Sequence, residues 1–408
     1  MIERAKKGDV MKKGIKLIGF LLVVMMALAL VGCGGTEKPA ATGDSGAAGE
    51  TAGGGQIKIA VAAPLTGDNS EYGIGFYNAV SMMAESWNEN GGIQNNKIAV
   101  LQFDDKNSPE EGVSVANKIA SDQDIHCVVG HFSSGVCMAA ATIYQENKII
   151  EISPSASHPD YSGIGDFIFR NNTVIMREAK ASLDIAVNDL GKKNIGIISI
   201  KTDWGVSTSG IVKDLVGEME DSGAKVVAHE EVIEGSDDYR PAITKLNEAG
   251  ADVVICVGMY NLVAPVARQY KEINPDIRIV GFSNSYSEEL IKLGGEAVEG
   301  VAFPVIFFSK SDDPKVQEFV KNFKTKFGSE PSALTAQAYD SAGIYFTAVE
   351  KVGSDQDSAA VRDAIAEMSY EGVTGTTKFD ANGDVEKTFT KVTIKDGEFV
   401  LLESGSNE

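Results

Sequence analysis

The chain has 408 residues, and its 37 lysines and arginines face 58 aspartates and glutamates, for a formal net charge of −21. So acidic a surface keeps a protein soluble and repels phosphate, which excludes nucleic acid as a partner. Four cysteines and four histidines are too few for a disulfide scaffold; His126, Cys127, His131 and Cys137 match no zinc spacing, so neither metal nor cofactor is expected.

Lys12, Lys13 and Lys16 precede the apolar run LIGFLLVVMMALALVG, Leu17 to Gly32. A basic segment followed by a run shorter than the ~20 residues of a spanning helix has the form of a signal peptide over 1–32. It ends at Leu30-Val31-Gly32-Cys33, which resembles a bacterial lipobox and makes Cys33 the expected lipidation site, hence an extracytoplasmic, membrane-anchored protein. Met11 is an equally good start. Residues 33–55 are mostly Gly, Ala, Thr and Ser and read as a flexible linker.

Beyond it, apolar runs of strand length alternate with helical periodicity. IKIAVAAPL (57–65) reads as a strand, YGIGFYNAVSMMAESWNENGG (72–92) as a helix and KIAVLQFDD (97–105) as a strand. SPEEGVSVANKIAS (108–121) is a helix with Ser108 as cap, Pro109 in first position and Glu111 placed for a capping box. IHCVVG is a strand, HFSSG a polar turn, the Ala-rich run through ATIYQENK a helix, and KIIEISP (148–154) a strand.

The alternation then resumes. NIGIISIKTDWG (194–205) leads into a helix near 206–222, followed by the strand AKVVAHEEVI (224–233). The helix DYRPAITKLNEAG (238–250), with Pro241 in its first turn, precedes the strand ADVVICVGM (251–259). LVAPVARQYKEI (262–273) is helical and DIRIVGFS (276–283) a strand. EGVAFPVIFFSK (299–310) is strand-like, three helical runs follow, and TGTTKFDANGDVEKTFTKVTIKDGEFVLL reads as hairpins turning at Asn382-Gly383 and Asp396-Gly397. Asp380 to Asp384 fits such a turn better than a calcium loop. Two alternating runs, meeting near 175, predict an α/β chain of two doubly wound parallel-sheet lobes. Ligands of such sheets bind beyond the C-terminal strand ends.

In VVGHFSSGVCMAAA (128–141) a strand ends in two serines that open a helix. They serve as an N-cap, as an anion cradle, or as both at one helix end.

Four stretches, IKIAVAAPLTGDNSEYGIGFYNAVSMMAESWNENGGI, FDDKNSPEEGVSVANKIA, VVGHFSSGVCMAAATIYQENKIIEISPSAS and LTAQAYDSAGIYFTAVE, resemble the type I periplasmic solute-binding proteins of the branched-chain amino acid (Leu/Ile/Val) ABC transporter group. The resemblance runs from 56 to the C-terminus. It implies two lobes joined by three hinge crossings, an N-lobe of 56–175 plus 306–380 and a C-lobe of 176–305 plus 381–408. It also implies a monomer that closes on a small carboxylate-bearing solute, a branched-chain amino acid or a related amino or organic acid. The solute passes chemically unchanged to ABC permease and ATPase subunits, or the same clamshell signals to a membrane receptor. No constellation of an enzyme is present.

The family's carboxylate-binding serine falls on Phe132-Ser133-Ser134, with Ser134 the best match. The next loop carries over to Ser155, Ala156 and Ser157, and a first-loop tyrosine to Tyr72. The closing aromatic of the C-lobe falls on Trp204, and a second tyrosine on Met259 with Tyr260 beside it. The family's ammonium-binding acidic residue falls on Ser283, which carries no charge. The resemblance therefore predicts either a carboxylate supplied by Glu288 or Glu289, or a ligand that is not a standard α-amino acid. Trp204 and Met259 in place of tyrosines imply a larger, more apolar pocket.

Overall fold

The computed structural model describes residues 55–403; the expected signal peptide, Cys33 and nearly all of the linker lie outside them. The strands are β1 (Gln56–Ala63), β2 (Lys97–Asp104), β3 (Ile125–Gly130), β4 (Ile150–Ser153), β5 (Ile168–Arg170), β6 (Asn194–Ile200), β7 (Lys225–Val232), β8 (Val253–Val257), β9 (Arg278–Val280), β10 (Ala302–Val305), β11 (Ser369–Gly372), β12 (Gly375–Lys378), β13 (Thr390–Lys395) and β14 (Glu398–Leu401). The α-helices are α1 (Ser70–Glu89), α2 (Pro109–Ala120), α3 (Ser134–Glu146), α4 (Ile175–Asp184), α5 (Asp203–Glu218), α6 (Arg240–Glu248), α7 (Tyr260–Ile273), α8 (Glu288–Gly294), α9 (Pro314–Phe327), α10 (Ala333–Val352) and α11 (Ser358–Glu367).

The first sheet runs β2-β1-β3-β4-β5, every pair parallel. The second runs β14-β13-β10-β9-β8-β6-β7, parallel from β10 to β7. Its far edge is closed by the antiparallel strands β13 and β14. Counted from the first strand of each lobe, the parallel strands have the same order, second-first-third-fourth-fifth. The order reverses between β1 and β3 and again between β6 and β8, and a crevice opens at each reversal. The chain passes between the sheets after β5, after β10 and after β12.

The apolar runs become strands because both faces of each parallel sheet are covered. Ile59, Val61, Cys127, Val129 and Ile152 enter one core, Ala60, Ala62 and Val128 the layer on the opposite face. Cys127, Cys137 and Cys256 are unpaired and buried.

Ser108 caps α2 as expected, accepting from Glu111 N–H, with Pro109 at the helix start. The reciprocal half of the capping box does not form, because the Glu111 carboxylate pairs instead with Lys106 at 2.9 Å. The expected strand over 299–310 is only β10, four residues long, since the chain leaves the sheet there to cross back. The Asp396-Gly397 turn joins β13 to β14. At Asn382-Gly383 a turn also forms, but only a single bridge, Phe379 to Val385, flanks it. A hairpin not anticipated, β11–β12, turns at Val373-Thr374, where both backbone N–H groups donate to the buried Asp340 carboxylate at 2.9 and 2.8 Å.

The expected helix near 206–222 begins earlier, at Asp203, because the Thr202 hydroxyl accepts from Gly205 N–H. Between 158 and 193 the sequence reading assigned nothing. There lie β5 and α4, whose inward stripe is Ile175, Glu178, Ala179, Ser182 and Leu183.

Candidate functional site

The two reversals face each other across a cavity of about 280 Å³, at the small end of ligand sites. Nearly every lining residue follows a strand. Asn107 follows β2; Ser133, Ser134 and Gly135 follow β3; Ser155 and Ser157 follow β4; and Asn172 follows β5. From the other lobe come Thr202, Asp203 and Trp204 after β6, Glu234 after β7, Met259 after β8, and Ser283 with Asn284 after β9. Glu178 of α4 completes that side.

On the first lobe the wall is built from hydrogen-bond donors. Ser133 occupies the N-cap position of α3, yet its hydroxyl makes no cap bond. The cap reading is therefore corrected, and the helix start is left open. The first intrahelical donors are Val136 and Cys137, both to the Ser133 carbonyl at 3.0 Å, so the N–H groups of Ser134 and Gly135 precede the helical ladder. The Ser134 oxygen accepts from the N–H groups of Ser157 (3.2 Å) and His158 (3.3 Å). Both acceptor sites being used, its proton remains to be given. Free donors at the positive end of a helix attract an anion.

Ser155 donates to the carbonyls of Phe132 (2.6 Å) and His131 (3.2 Å), which ties the β4 loop to the β3 loop. Beneath both, the buried His131 is held between Asp105 at 2.6 Å and the Tyr144 hydroxyl at 2.9 Å.

The lobes touch around the cavity. Trp204 Nε1 donates to Ser157 Oγ at 2.9 Å. The Tyr72 hydroxyl donates to the Asn284 carbonyl at 2.6 Å. Ser287 Oγ donates to Glu71 at 3.2 Å. Beside them the Tyr72 ring lies 5.4 Å from that of Tyr260.

The opposite wall carries acceptors. Glu178 is 3% exposed and accepts from Ser283 N–H at 2.5 Å; burial raises its pKa to about 7, against the lowering effect of Ser283. Burial also raises the Glu234 pKa, while Asn261 and Asn69 nearby pull it down. No hydrogen bond of good geometry reaches Glu234 Oε1 or Asn284 Oδ1, nor Asn107 Oδ1 on the first lobe, all shielded from solvent. Among the lining residues there is no lysine, arginine or histidine.

Of the residues singled out in the sequence, Ser133, Ser134, Ser155, Ser157, Trp204, Met259 and Ser283 meet on this cavity. Three stand behind it. Tyr72 is fully buried and stacks on Phe132 at 4.3 Å, Tyr260 packs against it, and the Ala156 N–H is consumed by Ser153 Oγ at 3.0 Å. The expectation for Glu288 and Glu289 is corrected. Both sit on α8 and pair with Lys292, outside the lining. The carboxylate beside Ser283 comes from Glu178 of α4, earlier in the same lobe. Sequence reading missed it because α4 was not assigned. The available signal was an acidic residue on the apolar stripe of an amphipathic segment. Glu234, one residue past the expected strand 224–233, was not considered.

The sequence profile of the periplasmic binding protein family matches residues 56–398. The chain belongs to this family of binding proteins, which are not enzymes. It is 30% identical over 329 residues to Leu/Ile/Val-binding protein homolog 1 of Brucella abortus, covering 80% of this chain and 87% of that one. It is 29% identical over 333 residues to the leucine-, isoleucine-, valine-, threonine- and alanine-binding protein of Pseudomonas aeruginosa, covering 81% and 87%. Among solved structures, the branched-chain amino acid transporter substrate-binding protein LivJ of Streptococcus pneumoniae, in complex with isoleucine, superposes with a TM-score of 0.77 at 26% identity. That match covers 84% of this chain and 97% of the other.

Proposed function

We propose that this chain is the extracytoplasmic receptor of an ABC importer. It captures a small amino acid, of the wider class to which leucine, isoleucine and valine belong, by closing its lobes over it. The observation that carries the reading is the open start of α3, with three serine hydroxyls gathered at it. Ser134, Ser157 and the helical N–H groups hold the α-carboxylate, and Trp204, Met259 and the Ser283 loop shut the other side. Ser157 accepts the Trp204 N–H and still has its own proton to give, so carboxylate binding and closure cooperate. Ligand contacts to both lobes favour the closed state over the open one. The names of the relatives support an amino acid as cargo, and membership of a binding-protein family supports release of the cargo unchanged.

The Lys-rich start, the apolar run and Leu30-Val31-Gly32-Cys33 support anchoring through a lipid on Cys33. Replacing Cys33 with Ala should release the protein from the membrane fraction, as read by immunoblot.

The test is a thermal-shift and calorimetric screen of amino and organic acids. A ligand at 100 times its Kd stabilises the native state by about 2.7 kcal/mol, and the bound compound should be recovered unaltered. If no amino acid shifted the transition, the reading would be wrong.

A further inference from the structure

The cavity is electrically lopsided, and the asymmetry coincides with the division between lobes. The first lobe offers donors: Ser133, Ser134 and Ser157 at the start of α3. The second lobe offers acceptors: the Glu178 and Glu234 carboxylates and the Asn284 amide oxygen, with Asp203 at the exposed mouth. No basic side chain lines the cavity to neutralise them. Glu234 Oε1, Asn284 Oδ1 and Asn107 Oδ1 are shut away from solvent without a hydrogen-bond partner, although Asn261 and Asn69 stand beside the Glu234 carboxyl as polar neighbours. A buried acceptor left unsatisfied costs ~1–3 kcal/mol and a buried charge more.

Glu178 and Glu234 stand on different elements. Glu178 is held at Ser283. Glu234 lies in the loop that meets the β1–α1 loop, with Asp68 and Asn69 among the groups that influence it. One ammonium placed at Glu178 would still leave Glu234 Oε1, Asn284 Oδ1 and Asn107 Oδ1 without a partner.

We infer that the ligand is an α-amino acid whose side chain carries a second nitrogen donor, an amine, a guanidinium or a carboxamide. Its α-carboxylate sits at the start of α3, its α-ammonium at Glu178, and its side-chain nitrogen among Glu234, Asn284 and Asn107. This rests on the reading of the cavity as an amino-acid site and narrows it. The arrangement also accounts for closure. Such a ligand is attracted by both lobes, whereas an aliphatic amino acid leaves Glu234 Oε1 and Asn284 Oδ1 unmatched. A simple carboxylate without an ammonium brings a negative charge toward the acidic wall and favours the open state.

The test is calorimetric titration of the purified chain with leucine, benzoate, glutamine, lysine and arginine. At least one of the last three should bind tenfold or more tightly than leucine and benzoate, and lysine or arginine ahead of glutamine would mark the second group as cationic. Glu234→Gln should remove most of a preference for a cationic side chain while leaving the unliganded fold intact by circular dichroism. Asn284→Ala, which deletes an amide oxygen without a partner, should weaken a carboxamide ligand several-fold. Because Glu178 and Glu234 hold protons more readily than ordinary carboxylates, binding a cation near pH 6.5 should release protons, seen as a heat that depends on buffer ionisation enthalpy in the unaltered protein. Leucine binding as tightly as the nitrogen-bearing ligands would overturn the inference and leave the proposed function standing. So would a preference unchanged in both variants. Benzoate binding as tightly, or no binding by any compound of the panel, would overturn both.

Discussion

Trp204 of one lobe donates its indole N–H to the Ser157 hydroxyl of the other at 2.9 Å, and both residues face the cavity. The bond can exist only when the lobes are together, so it belongs to the closed state alone. A neutral hydrogen bond contributes ~0.5–1.5 kcal/mol net. Trp204→Phe keeps most of the aromatic surface and removes the bond. Ligand affinity should fall about three- to tenfold, chiefly through faster dissociation, as read by stopped-flow fluorescence or surface plasmon resonance. An unchanged dissociation rate would deny this bond a part in closure.

Ser134 has its lone pairs occupied by two backbone N–H groups, and Ser157 has one occupied by Trp204. Each keeps a proton for the ligand carboxylate. Hydrogen bonds to a charged group contribute ~1.5–3 kcal/mol apiece. The double substitution Ser134→Ala and Ser157→Ala should therefore weaken the true ligand at least about 100-fold, and the melting temperature of the empty protein should fall as well, because Ser134→Ala strips the Ser157 and His158 N–H groups of their acceptor. Calorimetric titration checks the first and differential scanning calorimetry the second.

Glu71 lies under Ser287 of the opposite lobe, and burial raises its pKa from 4.5 to about 7. Glu289 adds to the rise, while Ser287 and Lys292 oppose it. A carboxyl with a higher pKa in the closed state than in the open state holds its proton better when closed. Its favourable share in closure is complete below the open-state value and is lost as pH rises through about 7. The unliganded protein should be more closed at pH 6 than at pH 8 by small-angle scattering or inter-lobe energy transfer. Glu71→Gln should flatten that dependence.

Gly73 follows Tyr72 in the first turn of α1, and a Cβ placed there would lie 1.9 Å from the Pro64 carbonyl oxygen. Backbone cannot yield as a flexible side chain does. Gly73→Ala should cost about 3 kcal/mol or more and displace Tyr72 from Phe132. Urea denaturation monitored by tyrosine fluorescence measures the loss, and a midpoint within error of the parent would contradict it.

Much of this molecule was legible beforehand, for identifiable reasons. Runs such as VVICV and NIGIISI could only be strands buried on both faces, and the alternation with helices required parallel sheets. The positions after strand ends could be named as site residues without coordinates. Seven of the ten ligand positions named lie on the cavity. Tyr72, Tyr260 and Ala156 were placed one layer too far forward, because strand-end logic names a loop but not which of its side chains turns inward.

The sequence by itself determined the two lobes, most of the strand–helix order outside 158–193 and the serine-lined start of α3, because periodicity and helix-end chemistry are local properties. Only the tertiary structure decided where the negative charge of the site comes from. Ser283 carries none, and Glu178, 105 positions away, is brought against its N–H when α4 folds onto the second lobe. That pairing depends on how helices pack over a twisted sheet, which no short window of residues encodes.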